Sequence, residues 1–172
     1  MKQFANLICC FAICLTACSD YPYALKTVAK SDIDLVTDAH LEKINELLQM
    51  LMVKLYKRNP SQLTPGVTSQ SRLEQIFLTE GPLNFDELSK QTGRDAILLA
   101  LNPDFQGDRV FALIVGLTDM IRKSYGYKNE FFVTDSLNQQ DLYNSARNIE
   151  IIVWRIKNRY QTNGQLFLLT NG

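Results

Sequence analysis

Histidine is nearly absent from this chain: His40 is the only one in 172 residues. A site that gathers several imidazoles around a metal is therefore excluded. Cysteine stands at Cys9, Cys10, Cys14 and Cys18 and nowhere beyond, so no disulfide can tie the body of the chain together. There is no excess of charge of either sign, with 18 lysines and arginines against 18 aspartates and glutamates. A nucleic-acid partner would require a basic excess or stripe, and composition offers none. No apolar run reaches the ~20 residues that cross a bilayer as a helix. No G-x-S-x-G, H-E-x-x-H or S-x-x-K pattern occurs, and no glycine-rich loop is present to cradle a phosphate. Internal repeats and low-complexity stretches are missing too.

What is present is an ordinary globular balance, 46% hydrophobic and 21% charged. The first 17 residues read as an export signal: Lys2 supplies a positive start, Leu7 to Leu15 a short apolar run, and Thr16-Ala17 small residues before a cleavage point. The four residues Leu15-Thr16-Ala17-Cys18 resemble the lipobox of bacterial lipoproteins. That resemblance implies cleavage before Cys18, a diacylglycerol thioether on its sulfur and a fatty acyl group such as palmitate on the new N-terminus. It also implies a place in the cell envelope. Ser19 directly after the cysteine favours the outer membrane, facing the periplasm; the aspartate that favours inner-membrane retention stands one place later, at Asp20. Cys9, Cys10 and Cys14 then fall in the discarded segment, where cysteine acts as a small hydrophobe.

The chain divides accordingly into a cleaved signal at 1–17, a lipidated cysteine and tether at 18–30, and one helical domain at 31–172. The fold class expected is all-α, a compact bundle of three long helices and two or three short ones. The first long helix is placed at 32–58, opened by a Ser31/Asp34 capping box and stopped by Asn59-Pro60. Ile33, Val36, His40, Ile44, Leu47, Leu51 and Leu55 follow three/four spacing and mark its expected core face. Asp32, Asp34 and Asp38 read as capping and dipole compensation, since they lack the glycine and terminal glutamate of a calcium loop. Short helices follow at about 71–78, opened by Ser71 and Glu74, at 84–91 and at 94–101.

The second long helix is placed at 108–125. Gly116 inside it costs about 1 kcal/mol of helix propensity against alanine, which predicts another helix passing close by. Gly126 is the expected C′ residue. The third long helix runs from Asp135 or Ser136 to about Tyr160, with Leu142, Ala146, Ile149, Val153, Ile156 and Tyr160 as its apolar stripe. Gln165 to Leu169 reads as a short strand or as an arm laid over the core. With Phe131-Phe132-Val133 it has the makings of a minor two-stranded element.

Two features carry candidate function. His40, on the expected core face, reads first as a polar core residue, and alternatively as the base of an enzyme acting on cell wall or envelope lipids. Tyr143, Arg147, Glu150, Trp154 and Lys157 lie on one flank of the last helix at three/four spacing; the plainer reading has Tyr143 and Trp154 covering the edge of the bundle while Arg147 and Glu150 pair on the surface, and the functional one notes that tyrosine, tryptophan and arginine dominate partner hot spots. The expectation is a lipid-anchored, non-enzymatic binding or scaffold protein that contacts an envelope protein through that flank. An apolar-ligand carrier is the third reading. No cofactor beyond the covalent lipid is expected.

Overall fold

A computed structural model describes residues 29–161 and 164–170. The export signal, Cys18 and most of the tether lie outside the described residues. The protein is all-α: α1 (Asp32–Arg58), a 3-10 turn (Pro60–Gln62), α2 (Ser69–Phe77), a 3-10 turn (Asp86–Leu88), α3 (Gly93–Ala100), α4 (Arg109–Ser124) and α5 (Gln139–Asn158). Among the described residues no helix is long and apolar enough to cross a membrane.

The central helix is α4, and its sequence explains why. Val110 to Leu117 is almost wholly apolar, so no face can be turned to water without cost. Every residue from Val110 to Ile121 is buried, and α1, α3 and α5 pack around it. Asp108 caps it by accepting from the Phe111 N–H at 2.9 Å. The close passage expected at Gly116 is present: an added Cβ would stand 2.5 Å from the Gly93 carbonyl oxygen and 2.5 Å from Ile97 Cγ1 on α3. Gly126, at φ +65°, ends the α4 segment in the left-handed region, as its C′ place predicts.

α1 begins and ends where the sequence puts it. Ser31 and Asp34 close their capping box, with the Ser31 N–H donating to Asp34 Oδ2 at 2.7 Å. Its roll about its own axis is a correction. The buried apolar side chains are Leu41, Leu48, Met52, Leu55 and Tyr56, roughly one residue or 100° round from the expected stripe. Ile33, Val36, Leu47 and Leu51 are exposed, and so is His40, which is therefore no core residue. Polar contacts outside the stripe pin this roll. The Tyr56 hydroxyl donates to Asp108 Oδ2 at 2.7 Å. Asp38 Oδ1 accepts from the Phe131 N–H at 2.9 Å, while Asp38 Oδ2 pairs with Lys30. Asp38 thus makes a tertiary contact in place of the dipole role expected of it.

Smaller differences share one cause, turn chemistry that competes with helix. α2 starts two residues early because Thr68 and Ser71, and not Ser71 and Glu74, form the capping box. The helix expected at 84–91 is a single 3-10 turn, ended by Ser89 and Lys90 at positive φ. α5 starts at Gln139, because the Asn138 side chain accepts from the Gln140 and Asp141 N–H groups. Its buried residues are Ser145, Ile152 and Ile156, whereas Ala146, Val153 and Tyr160 face water. Phe131 to Val133 forms no strand. The one β-bridge among the described residues joins Tyr160 and Leu166.

Residues 164–170 form the arm. Phe167 and Leu168 are buried in the same apolar cluster as α4. Asn59, at the C-terminus of α1, clasps the arm in both directions: its Nδ2 donates to the Leu169 carbonyl at 3.0 Å and its Oδ1 accepts from the Leu169 N–H at 2.8 Å.

Candidate functional site

The α5 flank is the surface the sequence singles out, and its exposure is the first observation that bears on function. Tyr143 is 65% exposed and Trp154 62%. Arg147 and Glu150 pair across one helical turn at 2.7 Å with both side chains in water, and Lys157 is exposed beside them. An exposed pair of this kind contributes little to stability, about 0.2–1 kcal/mol. Ile151 and Val153, also accessible, extend the apolar area on either side of Trp154. The indole therefore does not cover the edge of the bundle.

Behind this helix lies a polar cavity of about 340 Å³ between α3, α4 and α5. Its deepest carboxylate is Asp119, 2% exposed on α4. Asp119 Oδ1 accepts from the Leu83 N–H at 3.0 Å and from the Tyr127 hydroxyl at 3.3 Å. Asn144, Ser145 and Asn148 of α5 supply the outer wall, at the three/four spacing that puts them on one face. Neither histidine nor cysteine lines it, and Ser124 Oγ is committed to the Ile121 carbonyl.

The Tyr127 phenol is pushed up to about 12, first by burial and then by the Asp119 carboxylate it faces. The direction has a consequence for stability. In the unfolded chain this group ionises near its ordinary 10.0, whereas the folded protein holds the proton to about 12. Its contribution is complete below pH 10 and is lost as pH rises through that window. Tyr56, raised by burial and by the Asp108 carboxylate, acts in the same direction. Urea midpoints are expected to be level between about pH 6 and pH 9.5 and to fall steeply above about pH 10, with a shallower fall in Tyr127→Phe.

A second polar cluster runs beneath α2. Arg72 Nη1 donates to Glu87 Oε1 at 2.6 Å and to Gln75 Oε1 at 2.8 Å, and its guanidinium lies 4.1 Å from the Phe111 ring centroid. Burial works to raise the Glu87 carboxyl, but hydrogen bonds from Arg72 and Gln75 outweigh it and hold Glu87 below its ordinary range. Burial raises Asp108, against the Phe111 N–H, Tyr56 and Arg72. These groups are spent on holding α1, α2 and α4 together.

His40 makes no hydrogen bond or ion pair among the described residues, so the structure brings it together with no carboxylate or hydroxyl. No cluster of three or more histidine, cysteine, aspartate or glutamate side chains suited to a metal occurs among the described residues. Asp119, Tyr127 and Arg72 escape sequence reasoning because each is a single polar residue with distant partners and no motif. Comparison with protein-family models, curated proteins and solved structures finds no match.

Proposed function

We propose that this chain is a lipoprotein of the bacterial cell envelope, acylated at Cys18 and held on the periplasmic face of the outer membrane. Its helical body acts as a binding or scaffold module that meets an envelope protein through the α5 flank. The observation that carries the binding role is the exposure of Trp154 and Tyr143 on one face of one helix. Large aromatic side chains left in water on a rigid helix lose little conformational freedom on binding and bury much area. The support for the anchor is the Leu15-Thr16-Ala17-Cys18 motif at the end of a short apolar run.

Two results test the reading separately. Metabolic labelling with a fatty-acid probe is expected to mark the chain and to vanish in Cys18→Ser; labelling that persists in that variant would refute the anchor. A photo-crosslinker at position 154 is expected to give one adduct of discrete mass in cells, lost when Tyr143 is changed to alanine. Tyr143→Ala itself is expected to change folding stability by no more than about 0.5 kcal/mol, since the side chain is in water. Absence of any adduct from position 154 would refute the binding role.

A further inference from the structure

The stripe that sequence assigns to the core of α1 lies on the outside of the molecule, and it continues past its apolar part. Ile33, Val36, His40, Leu47, Leu51 and Lys54 are exposed and are linked, through half-buried Ile44, by steps of three and four along one side of a helix about 40 Å long. Ile33 is 73% exposed, Val36 55% and Leu47 51%. Lys54, Lys57 and Arg58 are exposed at the C-terminal end, and none forms an ion pair with a carboxylate among the described residues. From Leu47 to Arg58 the helix carries three cations and no acid. Leu51 and Leu55, together with those cations and Thr170 of the arm, line an open groove of about 520 Å³. Met50 is exposed beside Leu51, and Leu169 stands exposed at the end of the arm. The acids near this side are Asp32 at the first turn and Glu46, which is engaged by Lys43 at 2.6 Å.

We infer that this face of α1 lies on an anionic phospholipid surface, with the leucines and Met50 in the headgroup boundary and Lys54, Lys57 and Arg58 against lipid phosphates. A helix with a basic and apolar outer face is the form that rests in the plane of a membrane interface. Cations near such a surface each add about fivefold to binding, and three act together here. The inference rests in part on the proposed anchor. Residues 19–30 join Cys18 to the start of α1, at most about 40 Å of extended chain, so a lipid on Cys18 keeps the Ile33 end of the stripe within that reach of the bilayer. A scaffold laid flat along α1 would hold its orientation as well as its distance from the membrane.

The test uses the full chain with Leu47→Trp and Trp154→Phe, so that the single indole reports on the stripe. It is bound to vesicles of phosphatidylglycerol, plain or with brominated acyl chains, and to vesicles of phosphatidylcholine. About half or more of the indole emission is expected to be lost to brominated phosphatidylglycerol, as burial of about 5–10 Å into the boundary requires. Adding Lys54→Gln, Lys57→Gln and Arg58→Gln is expected to restore most of that emission with the circular dichroism spectrum unchanged. Emission equal in plain and brominated vesicles to which the chain is bound overturns the inference. So does a blue shift of the indole that grows with protein concentration without vesicles, which would make a second copy the occupant. Fatty-acid labelling of Cys18 reports on the anchor independently. A labelled chain whose indole at position 47 stays unquenched keeps the anchor and sinks the membrane face. An unlabelled chain must still bind phosphatidylglycerol vesicles through the stripe, and failure to float with them sinks it as well.

Discussion

Replacing Arg109 by methionine is expected to destabilise the protein by about 2–4 kcal/mol and to loosen two segments at once. Its guanidinium is buried without a carboxylate partner among the described residues. Nη1 donates to the carbonyls of Ala100 at 2.8 Å and Asn102 at 2.6 Å, and Nη2 donates to those of Pro103 at 3.3 Å and Phe105 at 2.6 Å. One side chain thus satisfies the end of α3 and most of the loop that leads to α4. The Phe167 ring of the arm lies 5.1 Å from the same cation. Two effects oppose each other in the substitution. Methionine relieves the burial of a charge, which pulls the Arg109 pKa below its usual value. It also leaves the carbonyls of Ala100, Pro103 and Phe105 without a donor, at about 1–3 kcal/mol for each that water cannot reach, while that of Asn102 keeps the Phe105 N–H at 3.2 Å. The Ala100 carbonyl bond is fully buried and the others partly so, which is why the loss wins without reaching its full sum. For a chain of this size a drop of about 5–15 °C in melting temperature should follow. Limited proteolysis should open the 101–107 loop and the arm together. Arg109→Lys should recover less than half of the loss, because a point ammonium cannot fork between four acceptors.

The second large effect is expected at Gly116, where valine should cost about 3 kcal/mol or prevent folding. Alanine alone brings a Cβ to 2.5 Å from the Gly93 carbonyl oxygen and 2.9 Å from the Ile97 backbone nitrogen. Those neighbours are backbone atoms of α3, so relief requires the two helices to part. Alanine gains about 1 kcal/mol in helix propensity and loses about 1–3 kcal/mol to overpacking, so its net cost is smaller than valine's. Urea denaturation of both variants measures the difference; an alanine variant more stable than the parent would show that α3 can move freely.

The bundle, its three long helices and the close passage at Gly116 were legible because they depend on caps, breakers and the length of apolar segments. The roll of α1 was not. The helix carries more apolar residues than one face can bury, so spacing alone offers two solutions. Tyr56, Asp38 and Asn59 decide between them through partners dozens of residues away, and no local pattern announces such contacts. α5 repeats the point on a smaller scale, since Ser145 lies buried where periodicity favours Ala146. In the candidate surface, Tyr143 and Trp154 stand where three/four spacing put them, whereas His40 moved from core to solvent with the roll of its helix.

The clasp between Asn59 and Leu169 ties together positions 110 residues apart. During synthesis at about 5–20 residues per second, α1 waits about 5–20 s after its own completion before the arm that seals its end exists. A chain cut short before Phe167 therefore leaves the C-terminal end of α1 without the Asn59 clasp and the cover of Phe167 and Leu168.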